Sequence, residues 1–70
     1  MKANWTRMAG GEKCAGVDSE AYGELDCNCR TFGRDQLAAH LPDGANLCMP
    51  CWYDLCDLIE ARGEERPEID

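Results

Sequence analysis

Two closely spaced pairs of cysteines carry the clearest chemical signal in this chain. Cys27 and Cys29 form the first pair, and Cys48 and Cys51 form the second after an interval of 18 residues. Two thiol pairs joined by a loop can place four sulfur atoms at the corners of a tetrahedron, which is the geometry that zinc prefers. The spacing therefore predicts one structural Zn²⁺ ion bound by these four cysteines.

More residues can donate to a metal than one zinc ion needs. Cys14 and His40 are open substitutes for a ligand of the first pair, because C-x-C is a less usual chelate than C-x2-C. Cys56 instead follows the apolar side of a helix and is predicted to pack as a small hydrophobic residue.

A C-terminal helix must position the second pair. Pro50 suits the first turn of a helix, and Gly63 suits its C-terminal stop. The free N–H groups and the positive dipole end of such a helix would stabilise thiolates at Cys48 and Cys51. Apolar residues recur between these ends at the spacing of an amphipathic helix: Trp52, Leu55, Cys56 and Ile59.

The segments before this helix give weaker signals. Thr31 and Phe32 suggest a short strand, and the four-residue spacing of Leu37 and Leu41 favours a short helix over residues 35–41. Residues 42–44 then form a turn. The predicted organisation is a flexible N-terminal arm over residues 1–13, one zinc-binding domain over 14–63 and an acidic tail over 64–70.

Size and charge limit the fold and the class of partner. The chain has 70 residues and a net charge of −7, so its small core needs a metal or a covalent link, and broad attraction to nucleic acid is disfavoured. A protein partner with a basic surface is predicted instead, with Tyr53 and Trp5 as aromatic anchors.

The cellular compartment determines whether the cysteines bind a metal or form disulfides. No secretory signal and no membrane-spanning stretch are recognisable in the sequence, which predicts a cytoplasmic protein without membrane association. Thiols stay reduced in that compartment, and zinc is favoured over disulfides.

The order of these parts, with paired cysteines, a short strand or hairpin and then C-x2-C opening a helix, resembles the treble-clef class of zinc fingers. The resemblance covers residues 27–62, and the first pair departs from the usual C-x2-C by one residue. It implies a small metal-stabilised α+β fold with one C-terminal amphipathic helix. The class is functionally broad, so the resemblance does not identify an activity.

A second cysteine pattern is compatible with an iron–sulfur cluster as an alternative to zinc. Cys14 or Cys29, followed by Cys48, Cys51 and Cys56, resembles the four-cysteine arrangement of the WhiB-like proteins, although the last spacing is one residue shorter. A site closed by four thiolates cannot activate water, so an enzyme is not expected. The sequence favours a regulatory or accessory protein-interaction module, with a nucleic-acid-binding zinc finger and an iron–sulfur or thiol redox sensor as alternatives.

Overall fold

A four-stranded sheet and one helix make up the fold. The computed structural model describes residues 1–16, 19, 22–23, 25, 27 and 31–70. Within them the element order is β1 (Lys2–Arg7), β2 (Leu37–His40), β3 (Asn46–Leu47), α1 (Met49–Ala61) and β4 (Glu68–Ile69). The strand order is β3-β2-β1-β4, with β2 antiparallel to both neighbours and β4 parallel to β1. The expected small α+β fold is confirmed at this level.

The N-terminal segment is a central strand of this sheet. β1 pairs with β2 on one side and with β4 on the other, and both Ala3 and Met8 are buried in the core. The prediction of a flexible arm over residues 1–13 is therefore wrong. Strand pairing depends on partners that lie far away in the sequence, so the polar composition of this segment gave no local signal.

Residues 37–40 form a strand and not the expected helix. Leu37 and Leu41 lie four residues apart, an even number, so they also share one face of a strand. Ala38 and Ala39 are both fully buried, and adjacent strand residues point to opposite faces. Both faces of β2 are therefore covered. Asp35, the first residue of the expected helix, instead occupies a turn with a φ of 61°.

The C-terminal helix is confirmed. α1 has Cys48 as its N-cap, and Cys51, Trp52, Leu55 and Cys56 are its buried residues. At its other end, Gly63 adopts a φ of 82°. The Gly63 N–H donates to the Glu60 carbonyl at 2.9 Å, and the Glu64 N–H donates to the Ile59 carbonyl at 3.2 Å. This is a Schellman motif, in which glycine tolerates the left-handed conformation without steric cost.

The last residues return to the sheet. β4 pairs with the start of β1, and the Trp5 N–H donates to the Asp70 carbonyl at 3.1 Å. Arg66 bridges Asp57 and Glu60 of α1, which holds this segment against the helix. The expectation of a separate acidic tail over 64–70 is wrong for this reason. No helix within the described ranges has the length and apolarity to cross a bilayer.

Candidate metal centre

Four cysteine sulfur atoms converge at one point of the core. The Sγ atoms of Cys14, Cys27, Cys48 and Cys51 all lie within 4.8 Å of one another, and those of Cys27 and Cys48 are 3.6 Å apart. A tetrahedral zinc ion with Zn–S bonds of ~2.3 Å requires sulfur–sulfur separations of roughly 3.8 Å. The cluster therefore has the size and the donor number for one tetrahedral metal ion.

Cys14 is held in place by backbone pairing on both sides. Lys13 forms an antiparallel bridge with Thr31, and the Ala15 N–H donates to the Asn46 carbonyl at 2.9 Å. Asn46 belongs to β3, which ends one residue before Cys48. The sheet edge thus brings a cysteine from early in the chain to the start of the helix.

The helix start supplies the next two sulfur atoms. Cys48 is the N-cap, with an extended backbone and no side-chain capping bond, and Cys51 follows in the first turn. The Trp52 N–H bonds to the Cys48 carbonyl at 2.9 Å, and the Cys48 N–H donates to the Cys14 sulfur at 3.4 Å. The helix therefore fixes two of the clustered sulfur atoms and orients a hydrogen bond toward a third.

Gly16 allows the chain to approach the cluster. A Cβ atom at this position would lie 2.8 Å from the Cys51 sulfur and 3.4 Å from the Leu25 Cδ1 atom. The backbone of Gly16 also acts to lower the pKa of the Cys14 thiol. The glycine is required here for space, because a side chain would displace a ligand sulfur atom.

The cysteines differ in how readily they lose a proton. Burial raises the pKa of Cys48 to about 12, and burial together with the neighbouring cysteines raises the pKa of Cys51 further. Burial acts to raise the pKa of Cys14 as well, but hydrogen bonds from the backbone of Cys48 and Gly16 and from the Cys27 and Cys48 thiols lower it below its usual value. Metal binding must therefore displace protons from Cys48 and Cys51.

Only some of the predicted ligands lie in the sulfur cluster. Cys27, Cys48 and Cys51 lie in the cluster together with Cys14, one of the two named substitutes, while Cys29 lies outside the described residues. His40, the other substitute, is on β2 with its Nδ1 atom 2.8 Å from the Asn46 Oδ1 atom.

Cys56 and the two predicted aromatic anchors lie elsewhere. Cys56 is buried in the core, where burial raises its pKa, and it does not join the cluster formed by the described residues. Tyr53 is 48% exposed on α1. Trp5 is partly buried on β1 and packs against the core.

Two features of the site were not evident from spacing. From the sequence Cys14 is an alternative only, because 12 residues separate it from the next cysteine and its position depends on the Lys13–Thr31 bridge. Gly16 stands in a stretch without helix or strand periodicity, where a glycine ordinarily indicates only a turn or loop. The available signal was a glycine two residues after a cysteine, since glycine marks close approach of the backbone to a bound group.

The donor set determines what the site can do. Cys14, Cys48 and Cys51 are at most 2% exposed, and four thiols fill every position of a tetrahedral ion. Soft sulfur donors in this geometry suit zinc or a similar thiophilic ion, and they leave no position for a reacting water. The arrangement could hold one thiophilic metal ion.

Comparison with known proteins gives no family assignment. No protein-family model matches the chain, and searches of curated proteins and of solved structures find no significant match.

Proposed function

We propose that this chain is a small protein-interaction module whose fold is held by one structural Zn²⁺ ion bound to Cys14, Cys27, Cys48 and Cys51. The observation that carries the proposal is the convergence of these four sulfur atoms within 4.8 Å. The β2–β3 hairpin directly precedes a helix that begins at two of the ligands, which supports a treble-clef-like arrangement.

The sulfur separations favour a single ion over a cluster. A cubane iron–sulfur cluster puts several iron and sulfide atoms between its cysteines, so its ligand sulfur atoms lie further apart than those around one ion. The Cys27–Cys48 distance of 3.6 Å fits the single ion. Cys56, which the iron–sulfur pattern requires, lies outside this group of described residues.

The exposed side of α1 supplies a surface for a partner. Met49 and Tyr53 are 41% and 48% exposed, and their spacing of four residues puts them on one side of the helix. We call this pair the Met49/Tyr53 face. Because Met49 lies between two ligands in the sequence, a bound metal would hold the start of this face in place.

Charge selects the kind of partner. Asp57, which is bridged to Arg66, continues the side of α1 that begins at Met49 and Tyr53, and the exposed acidic residues Glu64 and Glu65 follow the helix. The chain carries −7 overall, and a zinc ion with four thiolates would add about −2. An apolar face beside excess negative charge suits a basic partner segment with an apolar anchor.

The rival nucleic-acid surface is weakened by contacts within the chain. Lys2 pairs with Asp70 at 3.2 Å, and Arg7 donates to the Asp35 carbonyl at 3.0 Å. Arg30, another cation that a nucleic-acid surface could use, lies outside the described residues. Two of the cations on which that rival depends are therefore already engaged.

The metal is tested on the purified full chain under anaerobic conditions. Native mass spectrometry should find one zinc ion per chain, and cobalt substitution should give the visible absorption of tetrahedral cobalt bound to thiolates. Cys14→Ser should weaken binding and change this spectrum, while Cys56→Ser and Cys29→Ser should leave it unchanged. Loss of the spectrum in Cys29→Ser, with no change in Cys14→Ser, would reject the proposed ligand set.

The interaction is tested with random peptides displayed on phage and selected against the zinc-loaded chain. Enriched peptides should be basic with an apolar residue, and their affinity should fall about tenfold or more in Tyr53→Ala and Met49→Ala. Asn4→Thr, an exposed change on β1, is the control and should bind normally. Acidic peptides, or peptides insensitive to both helix variants, would contradict this surface.

A further inference from the structure

The four clustered cysteines differ in their access to solvent. Cys48 and Cys51 are 0% exposed and Cys14 is 2% exposed, whereas Cys27 is only partly buried. Cys27 also lies outside the strands and the helix. A small oxidant that arrives from solvent therefore meets the Cys27 sulfur before the other three.

Cys48 is placed to react with an oxidised Cys27. Their sulfur atoms are 3.6 Å apart, so a disulfide bond needs an approach of roughly 1.5 Å. Cys48 is the N-cap of α1 and is fixed by the helix, whereas the backbone at Cys27 belongs to no regular element. The movement needed for a bond can therefore come from the Cys27 side.

We propose that Cys27 and Cys48 are a peroxide-sensitive pair and that their disulfide releases the bound metal ion. The Cys27 thiolate attacks one oxygen of hydrogen peroxide, which gives a sulfenic acid and hydroxide. The Cys48 thiolate then attacks the Cys27 sulfur and displaces a second hydroxide. Two thiolates lose two electrons in total, and the peroxide O–O bond accepts them.

The consequence reaches the proposed partner surface. The inference rests on the proposed function, because it takes the cluster as a metal site and the Met49/Tyr53 face as a docking surface. The disulfide removes two of four sulfur donors and leaves Cys14 and Cys51. Since loss of the ion is expected to unfold the chain, including the helix that carries Met49, oxidation should abolish peptide binding together with metal binding.

The test uses the zinc-loaded full chain, whose metal content is measured before any oxidant is added. That first measurement tests the proposed function separately. Hydrogen peroxide is then titrated, with released zinc followed by a colorimetric chelator and disulfides mapped by tandem mass spectrometry without reduction. We expect Cys27–Cys48 as the first disulfide, about one zinc ion released per bond, and recovery of zinc binding after treatment with a dithiol reductant.

Two variants sharpen the result. Cys27→His keeps a metal ligand but cannot form a disulfide, so it should retain zinc at a peroxide excess that releases half the zinc from the unmodified chain. Cys56→Ser removes a buried thiol outside the cluster and should respond normally. If Cys27→His fails to fold, the disulfide map still decides. A first disulfide between any other cysteines, or zinc release without one, would overturn the proposal.

Discussion

Replacement of Gly16 by alanine should damage the metal centre through one misplaced methyl group. The added carbon would lie 2.8 Å from the Cys51 sulfur, whereas favourable contacts between non-bonded carbon atoms lie at about 3.5–4.0 Å. The Cys51 sulfur cannot easily move away from the added methyl group, because Cys51 is fully buried and a bound metal would fix the position of its sulfur. The glycine segment must move instead, and with it the backbone that leads to Cys14.

The size of the effect follows from two opposing contributions. Overpacking a close contact lowers the free energy of unfolding by about 1–3 kcal/mol. Replacing glycine by alanine raises it by about 0.4–1 kcal/mol, because alanine restricts the unfolded chain. The net loss of about 1–2 kcal/mol should lower the melting temperature by roughly 5–15 °C in a domain of this size. If the strain falls on the loaded site, zinc affinity should drop roughly 5- to 30-fold.

Gly33→Ala is the matched control. It makes the same chemical change, but its nearest neighbour would be the Gln36 Oε1 atom at 3.7 Å, an ordinary contact. Thermal unfolding in excess zinc and competition with a chromophoric chelator measure the two variants side by side. The reasoning is refuted if Gly16→Ala and Gly33→Ala have the same melting temperature and the same zinc affinity.

Three further perturbations test the same structure. Removing zinc with a chelator should unfold the chain, because a metal contribution on the order of 10 kcal/mol exceeds the stability of a domain this small; circular dichroism that is unchanged after chelation would contradict this. Zinc uptake near neutral pH should release at least the protons of Cys48 and Cys51, whose pKa values are raised, and affinity should fall as the pH is lowered. Calorimetry in two buffers of different ionisation enthalpy measures this release, and buffer-independent heats would argue against it. Gly63→Ala places a side chain at a φ of 82° and should cost about 1–2 kcal/mol. Because the metal-free chain is expected to be unfolded, zinc affinity should fall by the matching factor of roughly 5- to 30-fold, and unchanged affinity would show that the helix end and the metal site are not coupled.

Local patterns in the sequence predicted α1 and its two cysteines because each signal lies within one helix. Pro50, the apolar stripe and Gly63 act over a few residues, and the structure uses all of them. The strands could not be predicted in the same way. β1 depends on partners at residues 37–40 and 68–69, and the spacing of Leu37 and Leu41 fits a strand as well as a helix.

The metal site shows the same division between local and distant information. The pair at Cys48 and Cys51 could be predicted because it opens a helix. Cys14 reaches the cluster only through the Lys13–Thr31 bridge and the bond from Ala15 to Asn46, which no spacing rule contains. The predicted role of Cys29 stays a prediction.

The composition of the core explains why a metal should control the whole fold. Among the described residues, thirteen hydrophobic side chains are buried, and seven of them are alanine or cysteine. Such small side chains bury little apolar surface, so their hydrophobic contribution is modest. Three of these cysteines belong to the cluster, and with Cys27 they connect segments that are far apart in the chain. One ion bound at this point would supply stabilising free energy that the small core lacks. It would also hold together segments that are far apart in the sequence. Loss of the ion should therefore unfold the sheet and the helix together.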